Sequence, residues 1–212
     1  MIERYLIGNA QTIGSREIQS NMFSSVYNDA GDLLAVLADG AVDHPNGRIA
    51  AIIAVNCCVN TFIQKFPRTE PINASQFLLD TARKVNRSVE DAVFIGKSPR
   101  LSLTMTLFRG KELYFFSVGV NKMFLYNGHN ELVLGSDANH SHSNGRCNLS
   151  PRNIVGVLSA GAYTNMHPIE RIKIIESRKQ VYDKAQAIIE SVNKKGLPKQ
   201  LSATALLIEV SR

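Results

Sequence analysis

The sequence of 212 residues predicts an α+β fold built on antiparallel β-sheets. Strand-like runs occur in groups with tight turns between them, which is typical of antiparallel hairpins. Helix-like runs occur in separate blocks and do not alternate with single strands, as they would in an α/β protein. The sequence contains no internal repeat, and its length suits one domain spanning residues 1–212.

The first part of the chain predicts a hairpin followed by two helices. Met22–Tyr27 and Leu33–Leu37 are strand-like runs on either side of a turn rich in Asn, Asp and Gly. Apolar residues recur at helical spacing over Gly47–Phe66, and Pro67 ends that helix because its ring cannot continue it. A second helix spans Asn73 to about Val93, with Asn73 as a favourable N-cap residue.

The second part predicts two more hairpins, a strand, a helix and a last strand. LSLTMTLFRGKELYFFSVG alternates apolar and polar residues around a turn at Arg109–Glu112, and KMFLYNGHNELVLG does so around Asn127–Asn130. Asn153–Gly161 is a further apolar strand. Val181–Val192 places its apolar residues on one helical face, and Ser202–Val210 closes the chain as a strand.

Composition and charge limit the classes of function. Hydrophobic residues make up 44% of the chain and charged residues 20%, which argues against a disordered protein. The net charge of +6 only weakly favours acidic partners, and without a basic block or tryptophan we rank nucleic-acid binding last. The stretch MIERYLIGNAQTIG lacks the basic start and apolar core expected of a signal peptide, and no apolar run approaches the ~20 residues that a membrane span needs. Three cysteines, two of them adjacent, do not suggest disulfides. We therefore expect a cytoplasmic protein that does not bind membranes.

A carboxylate at the end of an apolar strand distinguishes the segment ADGAVDHPNGRIA. The apolar run before this segment ends at Asp39, the chain turns at Gly40, and His44 follows before the first long helix. Asp39 could be a metal ligand, or it could accept backbone N–H groups or pair with Arg16. His44 could be a general acid, but without metal we favour an ordinary loop histidine.

Six blocks of sequence resemble, in order, the motifs of the metal-dependent protein phosphatases, the PPM or protein phosphatase 2C type, in its short bacterial form. ADGAVDHPNGRIA resembles A-D-G-x-G-G-H-x-x-G-E-x-A, and IGSREIQSN resembles G-x-x-R-x-x-N-[QE]-D. FSVGVNKMFLY lies where the family has G-D-S-R between two strands, while GSDANHSH, VLSAGAY and SATALLIEV resemble segments with D-H-S, S-D-G and D-N-x-T. The resemblance covers nearly the whole chain.

This resemblance implies a fold and an activity. The fold is a four-layer sandwich in which two antiparallel β-sheets are flanked by α-helices. The activity is hydrolysis of phosphoserine or phosphothreonine in proteins, with two Mg²⁺ or Mn²⁺ ions activating the attacking water. These hard cations prefer oxygen ligands, chiefly carboxylates.

Most of the metal-binding carboxylates implied by the resemblance are replaced in this chain. Asp39 matches the bridging carboxylate, and Gly40 would offer its backbone carbonyl. The other ligand positions lack carboxylates, and they hold Asn21, Ala160, Leu201 and Ser202. A pair of unit charges ~4 Å apart is worth roughly 4 kcal/mol at an effective dielectric of 20, so losing two or three carboxylates weakens a divalent site by many decades. We expect no two-metal centre, although one weakly held ion on Asp39 is an open alternative.

The glycines that shape the turns are kept, unlike the charged residues beside them. Gly119 and Gly161 are in register, but Val120 and Asn121 replace the aspartate and serine of G-D-S-R. Asn139 replaces the aspartate of D-H-S. The flap that the family carries after this block is shortened here to about residues 141–152.

Several other residues have both a functional and an ordinary interpretation. Arg16 matches the family's arginine and could bind phosphate through a bidentate fork, or it could be a surface arginine. His140 and His142 have metal-pair spacing, although a solvated loop is favoured. Ser159 could suggest a nucleophile, but no base is evident. The nearest spare carboxylates for a divergent metal site are Asp29, Asp32 and Asp43.

Two hypotheses for the function follow. The first is an inactive phosphatase-like domain, a pseudophosphatase that needs no cofactor and binds a protein partner, with a phosphorylated protein or a kinase as candidates. The second is an active, divergent phosphatase that uses Mg²⁺ or Mn²⁺ held by Asp39 and ligands outside the motifs, with His44 as its acid.

Overall fold

The computed structural model describes residues 5–41, 44, 46–66, 73–92, 100–135 and 142–211. Two five-stranded sheets pack face to face, and helices cover the outer face of each sheet. All strand pairs are antiparallel. The predicted four-layer α+β sandwich is confirmed.

Along the described parts of the chain, three strands are followed by two helices, six strands, three helices and a last strand. The bounds are β1 (Tyr5–Thr12), β2 (Asn21–Tyr27), β3 (Leu33–Gly40), α1 (Gly47–Lys65), α2 (Ala74–Ala92), β4 (Leu101–Arg109), β5 (Glu112–Val118), β6 (Lys122–Tyr126), β7 (Glu131–Leu134), β8 (Ser143–Asn148), β9 (Ile154–Leu158), α3 (Ala160–Tyr163), α4 (Pro168–Glu176), α5 (Val181–Lys194) and β10 (Ala203–Val210). Sheet A has the strand order β1-β10-β9-β6-β7, and sheet B has the order β2-β3-β4-β5-β8.

Strand β3 is buried on both faces, which explains its uninterrupted apolar sequence. Leu34 and Val36 pack with α1 and α2 on the outside of sheet B, whereas Leu33 and Leu37 pack against sheet A. Successive side chains of a strand point to opposite faces, so a strand between two layers needs apolar residues at every position. The first carboxylate after this run is Asp39, at the end of the sandwich.

Helix α1 is, among the described helices, the one long and apolar enough by length and composition to cross a bilayer. Its small residues Ala50, Ala54 and Cys58 are fully buried against sheet B and α2. Burial inside a core accounts for this apolar composition. Helix α2 begins as predicted, because the side chain of Asn73 accepts the N–H of Gln76 at 3.1 Å.

The sequence patterns did not predict strands β1 and β8 or the short helices α3 and α4. Strands β1 and β8 lie at the edges of sheets A and B. Their sequences, YLIGNAQT and SNGRCN, contain Gly and Asn and lack clear alternation. They form because each pairs along its length with one neighbour, β10 or β5. Strand β8 occupies the segment in which we expect a shortened flap, and that shortening stays a prediction.

Candidate functional site

A pocket of about 690 Å³ opens at one end of the sandwich, where strand ends of both sheets meet. Sheet B contributes the start of β2, the end of β3 and the start of β4, and the β5–β6 loop adds a further wall. From the sheet A side come the start of α3 and the residues before β10. The lining residues are Ser20, Asp39, Gly40, Ala41, Arg100, Leu101, Ser102, Gly119, Val120, Ala160, Leu201 and Ser202.

The structure brings together five of the positions that the sequence motifs assign to a metal site. Asp39 and Gly40 line the pocket from the end of β3, and Ala160, Leu201 and Ser202 line it from the sheet A side. These residues are far apart in sequence. The β9–β10 pairing in sheet A brings Ala160 close to Leu201 and Ser202, and Asn21, which is opposite Asp39, donates a hydrogen bond to Ser202. Among these five residues only Asp39 is charged.

Asp39 is a half-buried carboxylate at the second-to-last position of β3. The hydroxyl of Ser20 donates a hydrogen bond to its Oδ1 at 3.4 Å, and the backbone carbonyl of Ser20 accepts the N–H of Gly40 at 3.2 Å. Burial raises the pKa of Asp39 to about 6, and the Ser20 hydrogen bond offsets this only in part. Within the described ranges, no lysine or arginine forms an ion pair with this carboxylate.

Asn21 lies behind the pocket wall and joins the two sheets. It is opposite Asp39 in the β2–β3 pairing and only 4% exposed. Its Nδ2 donates to the carbonyl oxygen of Ser202 at 3.3 Å and to Oγ1 of Thr204 at 3.1 Å. A carboxylate could not donate these bonds. The asparagine at this ligand position therefore supports the packing of β2 on β10.

Asn121 makes a second connection between the sheets. This residue is 1% exposed, and its Nδ2 donates to the carbonyl oxygen of Leu37 at 3.3 Å. The preceding Val120 lines the pocket with a largely exposed side chain, and its N–H donates to Oγ of Ser102 at 3.0 Å. The residues at the G-D-S-R position thus bring no charge to the pocket. Asn139 lies outside the described residues.

Gly119 and Gly161, the glycines that match the family motifs, occupy positions that require glycine for steric reasons. Gly119 has φ of 88°, a left-handed conformation that other residues rarely adopt. A Cβ at Gly161 would lie 2.2 Å from the carbonyl oxygen of Ser202. The close approach of α3 to the residues before β10 brings Ala160 and Ser202 to the same pocket.

Two predicted site residues lie outside the pocket lining. Arg16 is exposed in the β1–β2 loop. His44 is half-buried in the turn before α1, and its Nδ1 accepts the N–H of Asn46 at 3.2 Å. The hydrogen bond fixes the ring in this turn, and the ordinary loop role of His44 stays a prediction.

Ser159 is also accounted for by structure. It is fully buried, and its Oγ accepts the N–H of Thr204 at 2.9 Å. The hydroxyl therefore serves the contact between β9 and β10 and is not presented to the pocket as a nucleophile.

Two of the three spare carboxylates, Asp29 and Asp32, do not converge on Asp39. Asp29 and Asp32 lie at the β2–β3 turn, at the opposite end of β3 and roughly 20 Å from Asp39 along the strand. We therefore correct the suggestion that these two residues could complete a metal site. Asp43 and His140 lie outside the described residues, and His142 stacks on Phe116 with ring centroids 5.5 Å apart.

The described residues of the pocket do not fit a two-metal centre. Mg²⁺ and Mn²⁺ need several oxygen ligands, and each ion of a pair needs carboxylates for charge balance. The pocket offers one carboxylate, while Ala160 and Leu201 have no side-chain oxygen. In the described ranges no three His, Cys, Asp or Glu side chains come together as a potential metal site.

Sequence motifs missed three polar residues of the pocket, Ser20, Ser102 and Arg100. All three follow from strand pairing. Ser20 precedes Asn21, which is opposite Asp39 in the β2–β3 register, and Ser102 is opposite Asp39 in the β3–β4 register, so the chain entering β4 at Arg100 also lies at the pocket. Knowledge of that pairing would have identified Arg100, which the sequence showed only as a cation before a strand.

Comparisons with known proteins agree with this architecture. The sequence model of a family described as Protein phosphatase 2C matches residues 18–206. No curated protein sequence matches significantly.

Among solved structures, the S. agalactiae serine/threonine phosphatase is similar with a TM-score of 0.86 and 19% identity, covering 98% of this chain and 100% of that one. The Mycobacterium tuberculosis phosphatase PstP has a TM-score of 0.83 and 14% identity, covering 98% and 99%. A Staphylococcus aureus serine/threonine phosphatase has a TM-score of 0.82 and 14% identity, covering 97% and 95%. At these identities the likeness concerns the fold and not the activity.

Proposed function

Because the chain belongs to the protein phosphatase 2C family, we propose that it is a catalytically inactive member, a pseudophosphatase that binds a protein partner. The observation that carries this proposal is the composition of the pocket. Asp39 is the only acidic side chain among the described residues that line it, and Ala160 and Leu201 line it as well. A phosphatase of this family needs a charge-neutralising metal pair there, and these side chains cannot hold one.

A comparison with PstP sharpens the argument. The catalytic domain of PstP has been solved in complex with 2 manganese ions. The same chemistry in this chain would need acidic side chains at positions such as 160 and 201, which line the pocket together with Asp39. Fold likeness alone does not transfer an activity, because the chemistry depends on the site residues.

An active enzyme is the second candidate, and the retained Asp39 in an open pocket favours it. In that case one Mg²⁺ or Mn²⁺ would bind Asp39 and the carbonyl of Gly40, with water completing the coordination. Such an ion would lack the second metal that positions and activates the nucleophile. Turnover would then be slow and would depend entirely on Asp39.

Turnover of a phosphothreonine peptide in excess Mn²⁺ tests the proposal. The wild type and Asp39→Asn should show the same background rate, while the PstP catalytic domain serves as the positive control. Wild-type turnover that Asp39→Asn abolishes would contradict the proposal and establish the divergent enzyme.

A gain of metal binding provides the complementary test. The double substitution Ala160→Asp with Leu201→Asp places two more carboxylates in the pocket that contains Asp39. Calorimetry should detect Mn²⁺ binding to this variant but not to the wild type. Equally tight binding to both proteins would show that unrecognised ligands already hold metal.

The partner is proposed to be a protein, with a phosphorylated protein or a kinase as the first candidates. The net charge of +6 favours acidic surfaces. Capture of partners from a lysate should be compared between the wild type and a variant that fills the pocket, Ala160→Phe. Partners captured equally by both would bind elsewhere on the domain.

A further inference from the structure

Asp39 has no ion-pair partner in the described part of the chain, although Arg100 lines the same pocket. Asp39 is half-buried, and its one hydrogen-bond donor there is the Ser20 hydroxyl at 3.4 Å. A carboxylate has about four acceptor positions, and a partly desolvated one is costly unless it is paired. In an active phosphatase the metal ions would supply the missing positive charge. Here the pocket lacks the ligands to hold them.

The walls around Asp39 are mostly apolar and match an alkyl chain, although Ser20, Arg100, Ser102 and Ser202 also line the pocket. Leu101, Leu201 and Ala160 line the pocket together with Ala41 and Val120. Long cationic side chains bury their methylene stems on apolar surface and place the charged group on a polar partner. The volume of about 690 Å³ is within the usual range for small-ligand sites.

We propose that this pocket binds a lysine or arginine side chain of the protein partner, with the cation at Asp39 and the stem along Leu101 and Leu201. The proposal rests on the proposed function, because a working metal centre would occupy Asp39. An active phosphatase binds an anionic phosphoryl group with the help of its metal ions, whereas this pocket would bind a cation directly.

Arg100 makes the proposal sharply testable. It lines the same pocket without forming an ion pair with Asp39. A cationic ligand gains from Asp39 and is opposed by Arg100, whereas an anionic ligand is affected in the opposite way. Removing each charge separately therefore distinguishes the two classes of ligand.

The experiment measures binding of N-acetyl-lysine amide by NMR titration at about pH 8, where carboxylates are ionised. N-acetyl-norleucine amide is the matched control, because it replaces the ammonium group by a methyl group. N-acetyl-arginine amide and inorganic phosphate complete the set of probes. The proteins are the wild type, Asp39→Asn and Arg100→Gln, each checked for native circular dichroism.

The expected result is that lysine or arginine amide binds at least about tenfold more tightly than norleucine amide, a difference of about 1.4 kcal/mol. Asp39→Asn should remove this preference, and Arg100→Gln should strengthen it. Equal binding of lysine and norleucine amides would overturn the proposal. So would phosphate binding that Asp39→Asn strengthens and Arg100→Gln weakens, because the pocket would then be an anion site.

The outcome is separable from that of the proposed function. Absence of both turnover and cation binding would refute only the ligand class. Mn²⁺-dependent turnover that requires Asp39 would refute the pseudophosphatase proposal itself, and the cation proposal with it.

Discussion

Replacing Asp39 by asparagine should stabilise the folded protein at neutral pH. Folding raises the pKa of Asp39 from its ordinary value of 3.8 to about 6, because burial penalises the charged form. For an acid whose pKa rises on folding, the folded state binds the proton more tightly than the unfolded state. The ionised side chain therefore destabilises the fold above about pH 6, and the penalty disappears as the pH falls towards 3.8.

The size of the effect follows from the pKa difference. One pKa unit corresponds to about 1.4 kcal/mol, so the free energy of unfolding should rise by up to about 3 kcal/mol in Asp39→Asn above pH 7. The amide keeps an oxygen that can accept the Ser20 hydroxyl, so the variant loses the charge and retains the hydrogen bond.

Urea unfolding of the wild type and Asp39→Asn between about pH 4 and pH 8 measures this difference. The difference in the free energy of unfolding between the two proteins should be largest at pH 8 and should nearly vanish at about pH 4. Asp80→Asn is the matched control, because Asp80 is an exposed aspartate on α2 whose side chain is 58% accessible. Its substitution should change stability by less than about 0.5 kcal/mol at any pH.

A destabilised Asp39→Asn variant would refute the reasoning, because it would mean that the carboxylate makes contacts that help the fold. A gap that does not change with pH would equally contradict a burial penalty. If the prediction holds, the chain retains a residue that lowers its stability, as functional sites commonly do.

Three further predictions concern the free energy of unfolding, the first two at the pocket and the third at the buried ion pair between Arg171 of α4 and Glu131 of β7. Gly161→Ala should lower the free energy of unfolding by about 1–3 kcal/mol in urea titrations, because its Cβ would lie 2.2 Å from the carbonyl oxygen of Ser202; unchanged stability would mean that α3 shifts freely. Asn21→Asp should lower the free energy of unfolding by at least about 2 kcal/mol above pH 7 and by less in acid. The substitution removes the donor to Ser202 and adds a carboxylate opposite Asp39. A loss of stability that does not change with pH would exclude the charge effect. Arg171→Ala should cost about 3–5 kcal/mol, because it leaves Glu131 buried without its partner, and Glu131→Gln in the same background should recover part of the loss; no recovery would indicate that packing on Tyr163 dominates.

The sequence by itself determined most of the fold. Apolar periodicity located β3, α1, α2 and α5, because the spacing of apolar residues along one element reflects which of its side chains are buried. Strand-turn-strand patterns located the hairpins for the same reason. The motif around Asp39 identified the pocket's carboxylate, and the replacements at Ala160 and Leu201 could be read without coordinates.

Only the tertiary structure decided which residues share the pocket and what the replacements do. Edge strands β1 and β8 depend on pairing with β10 and β5, which leaves little local signal. Asn21 looked like a lost ligand, yet its amide joins the sheets through Ser202. Arg100 borders Asp39 because of the β3–β4 register. The physical reason is the same throughout: local patterns record whether a residue is buried, whereas strand register between distant segments decides which charges meet.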